Sequence, residues 1–234
     1  MKNEQGSPKS PRAQRTGSTI DRAIRGLSNL VPCARKQETS LNKIYTVGHS
    51  NHPIEKFLEL LTTNEITAIA DVRSKPFSRR NPQFNKDRLA AALAQHDIAY
   101  VFLGRELGAR SEDPACYEDG KVRYPRLAAT AAFKAGIERV LTGAQRYRLA
   151  LMCAEKEPLD CHRTLLVSRA LSELGISIAH ILADGSVEPQ EKTMSRLVDL
   201  VGLSKDDMFH EGADRVAQAC EIREKKIAYV KKSQ

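Results

Sequence analysis

The sequence has no tryptophan, and aromatic residues make up only 5% of its 234 positions. A core built from it must therefore be aliphatic, of Leu, Ile, Val and Ala. No apolar run approaches the ~18 residues that a membrane span requires, so no membrane partner is expected. The chain is polar from Met1 onward and lacks the apolar segment of a secretory signal. Its five cysteines, Cys33, Cys116, Cys153, Cys161 and Cys220, are odd in number and irregular in spacing. That argues against a secreted disulfide framework and for reduced thiols in a cytoplasmic compartment. There are no internal repeats. Acidic residues fall short of basic ones, leaving a net charge of +8.

The surplus is local. Residues 1–43 hold nine Lys/Arg against three Asp/Glu, residues 44–185 nineteen against seventeen, and residues 186–234 nine against nine. The first segment, rich in Ser, Pro, Gly and basic residues with little periodicity, reads as a disordered basic arm. A short helical turn over residues 19–30 would place Ile20, Ile24 and Leu27 on one face. Glu4 and Asp21 speak against a mitochondrial transit peptide. Such an arm can attract nucleic acid or another anionic surface without specificity, or stay solvated with no partner.

Order is expected from Lys43. Residues 44–48 read as a strand ending at Gly48, followed by a loop through His49, Ser50, Asn51 and His52. Asn51 or His52 would cap a helix with Pro53 at its first position and Ile54, Phe57, Leu58 and Leu61 at helical spacing. Further strands are predicted at 67–72, 99–103, 149–153 and 178–182. Helices are predicted at 85–96, around Phe133, Ile137, Val140 and Leu141, and at 161–174, the last capped by Asp160 and stopped by Gly175. This alternation predicts an α/β fold: a mainly parallel sheet of about five strands with helices on both faces. Met194, Leu197, Val198 and Val201 mark a helical C-terminal extension. The domain reading is an arm over 1–43 and a single domain over 44–230.

Open parallel sheets bind ligands beyond the carboxyl ends of their strands. There this sequence places His49 after the first strand, Asp71 and Arg73 followed by Lys75, Arg79 and Arg80 after the second, Cys153 and Glu155 followed by Cys161, His162 and Arg163 after the fourth, and Asp184 after the fifth. A thiol at a helix start has a lowered pKa, which makes Cys153 or Cys161 a candidate nucleophile, although Cys153 also suits a core position. His49 or His162 would serve as acid or base and Asp71 as an orienting carboxylate. Arg73, Arg79, Arg80, Glu155, Arg163 and Asp184 would contact the substrate. Asp71 and Arg73, two apart on a strand, share a sheet face and can equally form a structural ion pair. Arg79–Arg80 with Phe77 and Phe84 nearby suits phosphate or nucleic-acid contact, or a solvated loop. A phosphatase loop is excluded, because the position six after Cys153 is Leu159 and not Arg. Zinc on Cys153, Cys161 and a histidine is set aside: on a helix, Cys161 and His162 diverge by roughly 100° and rarely share an ion, so His49 or His180 would have to supply the missing ligands. No metal and no other cofactor is expected. Nothing around Ser50 resembles a nucleophile elbow, and His180, inside an apolar strand, reads as a hydrogen-bonded core residue.

Four separated motifs occur in order: residues 46–52 (TVGHSNH), Asp71-Val-Arg73 with residues 78–84 (SRRNPQF), residues 152–158 (MCAEKEP) with Cys161-His-Arg163, and residues 180–185 (HILADG). Together they resemble the domain of unknown function 488, and residues 223–229 fit that family's C-terminal end. The resemblance implies the α/β fold and the importance of these residues, and supplies no reaction. Two expectations stand beside each other: a catalytic or anionic-ligand site at the strand ends, thiol-dependent, and a nucleic-acid-binding accessory protein without catalysis. Oligomeric state is not legible. Arg163, in the first turn of a helix where its charge opposes the dipole, is expected to serve function more than folding, so that Arg163→Ala leaves stability within about 1 kcal/mol.

Overall fold

The computed structural model describes residues 43–203 and 212–231. The expected arm, its helical turn and Cys33 lie outside the described residues, apart from Lys43. In chain order the elements are β1 (Ile44–Gly48), α1 (Ile54–Thr63), β2 (Ala68–Asp71), α2 (Lys86–Ala94), β3 (Ala99–Phe102), the short α3 (Gly104–Leu107), β4 (Tyr117–Glu118), β5 (Lys121–Val122), α4 (Tyr124–Ala129), α5 (Ala131–Ala144), β6 (Leu149–Cys153), α6 (Arg169–Glu173), β7 (Ile178–Ile181), β8 (Val187–Pro189), α7 (Gln190–Leu200) and α8 (Gly212–Ile227). A π-helical turn, Arg163–Ser168, runs directly into α6.

Six strands form one sheet in the order β3-β2-β6-β1-β7-β8. The five predicted strands are all present and mutually parallel. β8, unpredicted, closes one edge antiparallel to β7. The four strands β1, β2, β6 and β7 are buried at every residue, as parallel strands covered on both faces must be. Alternate side chains feed two separate cores. Ile44, Ala68, Ala70, Leu149, Leu151 and Ile178 pack with Phe133, Ile137 and Val140 of α5, with Leu165 of the π-helical turn and with Leu197 of α7. Tyr45, Val47, Ile69, Ala150, Met152 and Ala179 pack with Phe57 and Leu61 of α1 and Leu89 and Leu93 of α2 on the opposite face. Helices thus cover both faces, and among the described residues no helix is long and apolar enough to cross a membrane.

Two departures from expectation shape the site. The first is the segment 104–129, too irregular to show a period. It forms α3, the β4–β5 hairpin and α4, and the chain after α8 returns to it: Val122 N–H donates to the Tyr229 carbonyl and Lys231 N–H to that of Gly120. The second is the start of the 161–174 helix. Residues Pro158–Asp160 form a 3-10 turn capped by Glu157, and Cys161 follows in an extended conformation with φ −132° and ψ 138°. Cys161 is therefore outside the helix, and Asp160 does not cap it; its carboxylate pairs instead with Arg223.

Candidate functional site

The carboxyl ends of three strands lie side by side, with Gly48 opposite Cys153 and Asp71 opposite Met152. The loop after β1 stays on β6: His49 N–H donates to the Cys153 carbonyl and Ser50 N–H to that of Ala154, both at 2.9 Å. Ser50 is held at φ 50°, a left-handed conformation that costs a non-glycine residue energy and persists only where surrounding contacts enforce it. Gly48 is required by crowding. A Cβ there would stand 1.9 Å from the Glu155 carbonyl oxygen and 3.1 Å from Arg163 Nη1.

At the β2 end, Arg73 grips Asp71 with two side-chain bonds, Nε–H to Oδ1 at 2.9 Å and Nη2–H to Oδ2 at 2.7 Å. Tyr100 of β3 donates its hydroxyl to Oδ2 at 2.7 Å, and burial together with that carboxylate pushes the phenol well above its ordinary pKa. Arg73 also donates to the Phe84 carbonyl at 2.9 Å and to His49 Nε2 at 3.1 Å. His49 Nδ1–H donates to the Ser50 carbonyl at 2.8 Å, and its ring stacks on Phe84 at 4.3 Å. Burial first, then the Arg73 charge, lowers its pKa to about 4. His49 is thus neutral at pH 7, with both ring nitrogens committed to holding Arg73 and the loop. Of the five guanidinium N–H groups of Arg73, one on Nη1 remains for a ligand.

The β6 end gathers a different set. Cys153 and Cys161 are 3% and 1% exposed. Their sulfurs lie 2.9 and 3.0 Å from the same oxygen, Glu155 Oε2. His162 Nδ1 lies 3.7 Å from Cys153 Sγ and 3.9 Å from Cys161 Sγ, while its Nε2 stands 3.0 Å from the Val72 carbonyl. That carbonyl accepts only if Nε2 carries a proton, so Nδ1 is the nitrogen turned toward the sulfurs. The extended backbone at Cys161 makes this convergence: the divergence expected of helical neighbours does not apply. Burial opposes ionisation of Cys161, but the Cys153 thiol, the Arg163 charge and His162 outweigh it and hold its pKa well below the ordinary range. Burial, then the adjacent Cys161, pushes Cys153 up. Glu155 keeps an exposed flank, but its carboxylate turns in on the sulfurs and titrates high, from desolvation and from Cys161. Among the described residues, Cys153, Cys161 and His162, with donor atoms all within 4.8 Å of one another, form a group that could hold a metal ion.

Arg163 lies behind this group, fully buried. Its Nη1 donates to the Glu155 carbonyl at 2.6 Å, its Nη2 to the Lys156 carbonyl at 3.4 Å and its Nε to Thr46 Oγ1 at 3.3 Å. Thr46 contacts His180 Nδ1 at 2.7 Å, and His180 Nε2 reaches Gln190 Oε1 at 2.6 Å. His180 is the core residue expected, and burial and the nearby Arg163 charge lower its pKa to about 4. The expectation that Arg163 is a receptor in a surface turn is overturned, because the chain before it folds over it. A guanidinium with no exposed surface and three intramolecular acceptors holds loops together.

A cavity of about 210 Å³ opens onto the strand ends and is lined by Arg73, Lys75, Arg110, Cys153, Glu155 and His162, with Tyr124, Ile227 and Tyr229 opposite. A wider depression of about 560 Å³ adjoins it, sharing Arg73, Lys75, Arg110 and Glu155 and adding His49, Asn51 and Phe77. Cys161, Arg163 and Asp71 sit behind the cavity wall and line neither space. Arg79, Arg80 and Asp184 are exposed and line neither. Asp184 organises the β7–β8 turn through the N–H and hydroxyl of Ser186. Phe84 is wholly buried, whereas Phe77 is 67% exposed.

Sequence reasoning missed Arg110, which stacks on Tyr229 at 4.6 Å and whose N–H donates to Ser74 Oγ at 3.0 Å. It also missed Tyr100, Thr46 and Tyr124. Only Tyr100, on the next predicted strand and paired with Ile69 two residues before Asp71, left a signal that could have been followed. Comparison with curated proteins and with solved structures finds no match. A family model described as Domain of unknown function DUF488 matches residues 53–170, a span that holds Asp71, Arg73, Cys153, Glu155, Cys161, His162 and Arg163, and by that match the chain belongs to this family.

Proposed function

We propose that the strand-end cavity binds the anionic part of a small-molecule substrate and that the wall formed by Cys153, Glu155 and His162 acts on it. One observation carries the reading: three cationic side chains, Arg73, Lys75 and Arg110, line the same 210 Å³ space as those three groups. Lys75 and Arg110 would supply most of the grip, as charged donors free to meet phosphate or carboxylate oxygens, and Arg73 its one remaining N–H. Asp71 and His49 act at a remove by fixing Arg73. Cys161 and Arg163 act from behind the wall.

The test is calorimetric titration with inorganic phosphate and with a small dicarboxylate. Lys75→Ala and Arg110→Ala should each weaken the better ligand by about tenfold to a hundredfold, the scale of one charge-assisted hydrogen bond. Saturating ligand should slow iodoacetamide labelling of Cys153. Binding of neither anion, or binding that both variants leave intact, would sink the reading.

A second reading, a nucleic-acid-binding accessory protein, is favoured by Phe77, whose exposed ring borders the wider depression while Arg79 and Arg80 follow in the chain. Stacking of a base on an aromatic ring beside basic groups suits a single strand. It predicts oligonucleotide affinity that falls steeply with salt, drops in Phe77→Ala and survives Cys153→Ser. Absence of binding at low ionic strength removes it.

A further inference from the structure

We propose that Cys153, Cys161, His162 and Glu155 form a binding site for one thiophilic divalent cation, zinc foremost. Tetrahedral zinc with sulfur at ~2.3 Å and nitrogen or oxygen at ~2.0 Å places neighbouring donor atoms about 3.5 Å apart. The four contacts here, from Glu155 Oε2 to each sulfur and from His162 Nδ1 to each sulfur, run 2.9, 3.0, 3.7 and 3.9 Å. Cys153 Sγ, Cys161 Sγ and His162 Nδ1 already lie within 4.8 Å of one another, and the Glu155 carboxylate, which touches both sulfurs from outside that group, reaches the same ion by rotation of its side chain.

Three further features fit an ion rather than a chance meeting of polar groups. His162 has Nε2 on the Val72 carbonyl at 3.0 Å, the outer hydrogen bond that orients metal-binding histidines and leaves the other nitrogen free to coordinate. The donor set is soft, two sulfurs and an imidazole, which selects zinc over magnesium or calcium. The charges also close. Two thiolates and a carboxylate around a divalent ion leave one negative charge, and the wholly buried Arg163, which has no carboxylate partner among the described residues, brings its guanidinium to the edge of the cluster, donating to the Glu155 carbonyl at 2.6 Å.

The donors are not equivalent. Cys161 is sealed behind the wall, while Cys153, Glu155 and His162 face the cavity. Glu155, the one of the four that also keeps an exposed flank, is the donor a water or substrate oxygen would displace, leaving three protein ligands and one exchangeable position, the arrangement of catalytic rather than structural zinc. This assignment of a task rests on the anion-binding reading above; the ion site itself does not.

The experiment uses the full chain, stripped with a chelator under reducing conditions and titrated with Co²⁺ and with Zn²⁺. One equivalent of Co²⁺ should bind, with thiolate-to-cobalt charge-transfer bands and the visible bands of a tetrahedral ion, and one equivalent of Zn²⁺ should displace it. Cys161→Ala should abolish the charge-transfer signal or reduce it by half, Glu155→Gln should keep the ion with at least tenfold weaker affinity, and Cys220→Ala should leave the titration unchanged. Lys75→Ala and Arg110→Ala should keep full metal stoichiometry while losing anion affinity, so the two readings fail separately. No stoichiometric binding by the parent chain, a cobalt spectrum without sulfur bands, or a Cys161→Ala protein that retains the parent spectrum would each overturn the proposal.

Discussion

The carboxyl ends of β2 and β6 are neighbours in one sheet, yet they are wired in opposite ways. At the β2 end the two buried charges answer each other: Asp71 and Arg73 meet in a two-pronged ion pair, with Tyr100, His49 and the Phe84 carbonyl taking up most of the remaining donors and acceptors. At the β6 end, electron-rich groups face one another: two sulfurs share a carboxylate oxygen, with an imidazole nitrogen alongside. The first arrangement is complete without a ligand and positions a cation. The second concentrates donors that need a proton or a metal ion between them, and the buried cation behind it, Arg163, is engaged by two backbone carbonyls and the Thr46 hydroxyl. Proximity to a cavity does not separate a scaffold from a reactive site; the balance of donors and acceptors does.

The comparison is tested hardest at Arg163. Its replacement by Ala empties a buried volume, orphans two carbonyls and takes one of two partners from the Thr46 hydroxyl, so a loss of roughly 4–5 kcal/mol is expected, read as a large drop in the urea midpoint. A variant within 1 kcal/mol of the parent would restore the surface role that sequence position suggested. Asp71→Ala leaves the Arg73 charge buried and unpaired and should cost about 3–4 kcal/mol. It should also weaken phosphate binding, because Arg73 and the His49 loop lose their anchor. A phosphate isotherm unchanged in a folded Asp71→Ala protein would separate the β2 end from the site.

The smallest of the three effects is titration. His49 and His180 both have pKa values lowered from 6.5 to about 4, so between those limits the unfolded chain binds more protons than the folded one. Stability is fully present above pH 6.5 and is lost as pH falls toward 4, by up to ~3 kcal/mol for each histidine. His180→Gln should roughly halve the dependence of unfolding free energy on pH across that window. A variant with the parent's slope would mean that His180 is not held neutral.

How much was legible depended on the range of the interaction. Each of the five parallel strands appeared as a short apolar run between turn residues, and α1, α2 and α5 as helical spacing. These signals live within about a dozen residues. Asp71 and Arg73 were legible as a pair because a strand places positions i and i+2 on one face. The irregular stretch 104–129 carried no period, so Arg110 and Tyr124 gave no sign that they would meet Cys153. Zinc was set aside because the helix was started at Cys161, one residue early, and Arg163 was misplaced because the chain before it folds over it. The 3-10 turn at Pro158–Asp160 leaves Cys161 extended, which turns its sulfur toward His162 and leaves Arg163 in a first turn that faces the interior.

Periodicity and strand-end position identified the α/β class, the parallel strands and the stretch from Cys153 to Arg163 as the chemically dense part of the chain, because all of these follow from local backbone geometry. Which of those groups face the cavity, which stand behind it and which bind one another followed from the fold. The register of β1 against β6, the crowding of Gly48 against the Glu155 carbonyl and the return of the chain after α8 join residues that are far apart in sequence, and no local pattern records where such residues meet.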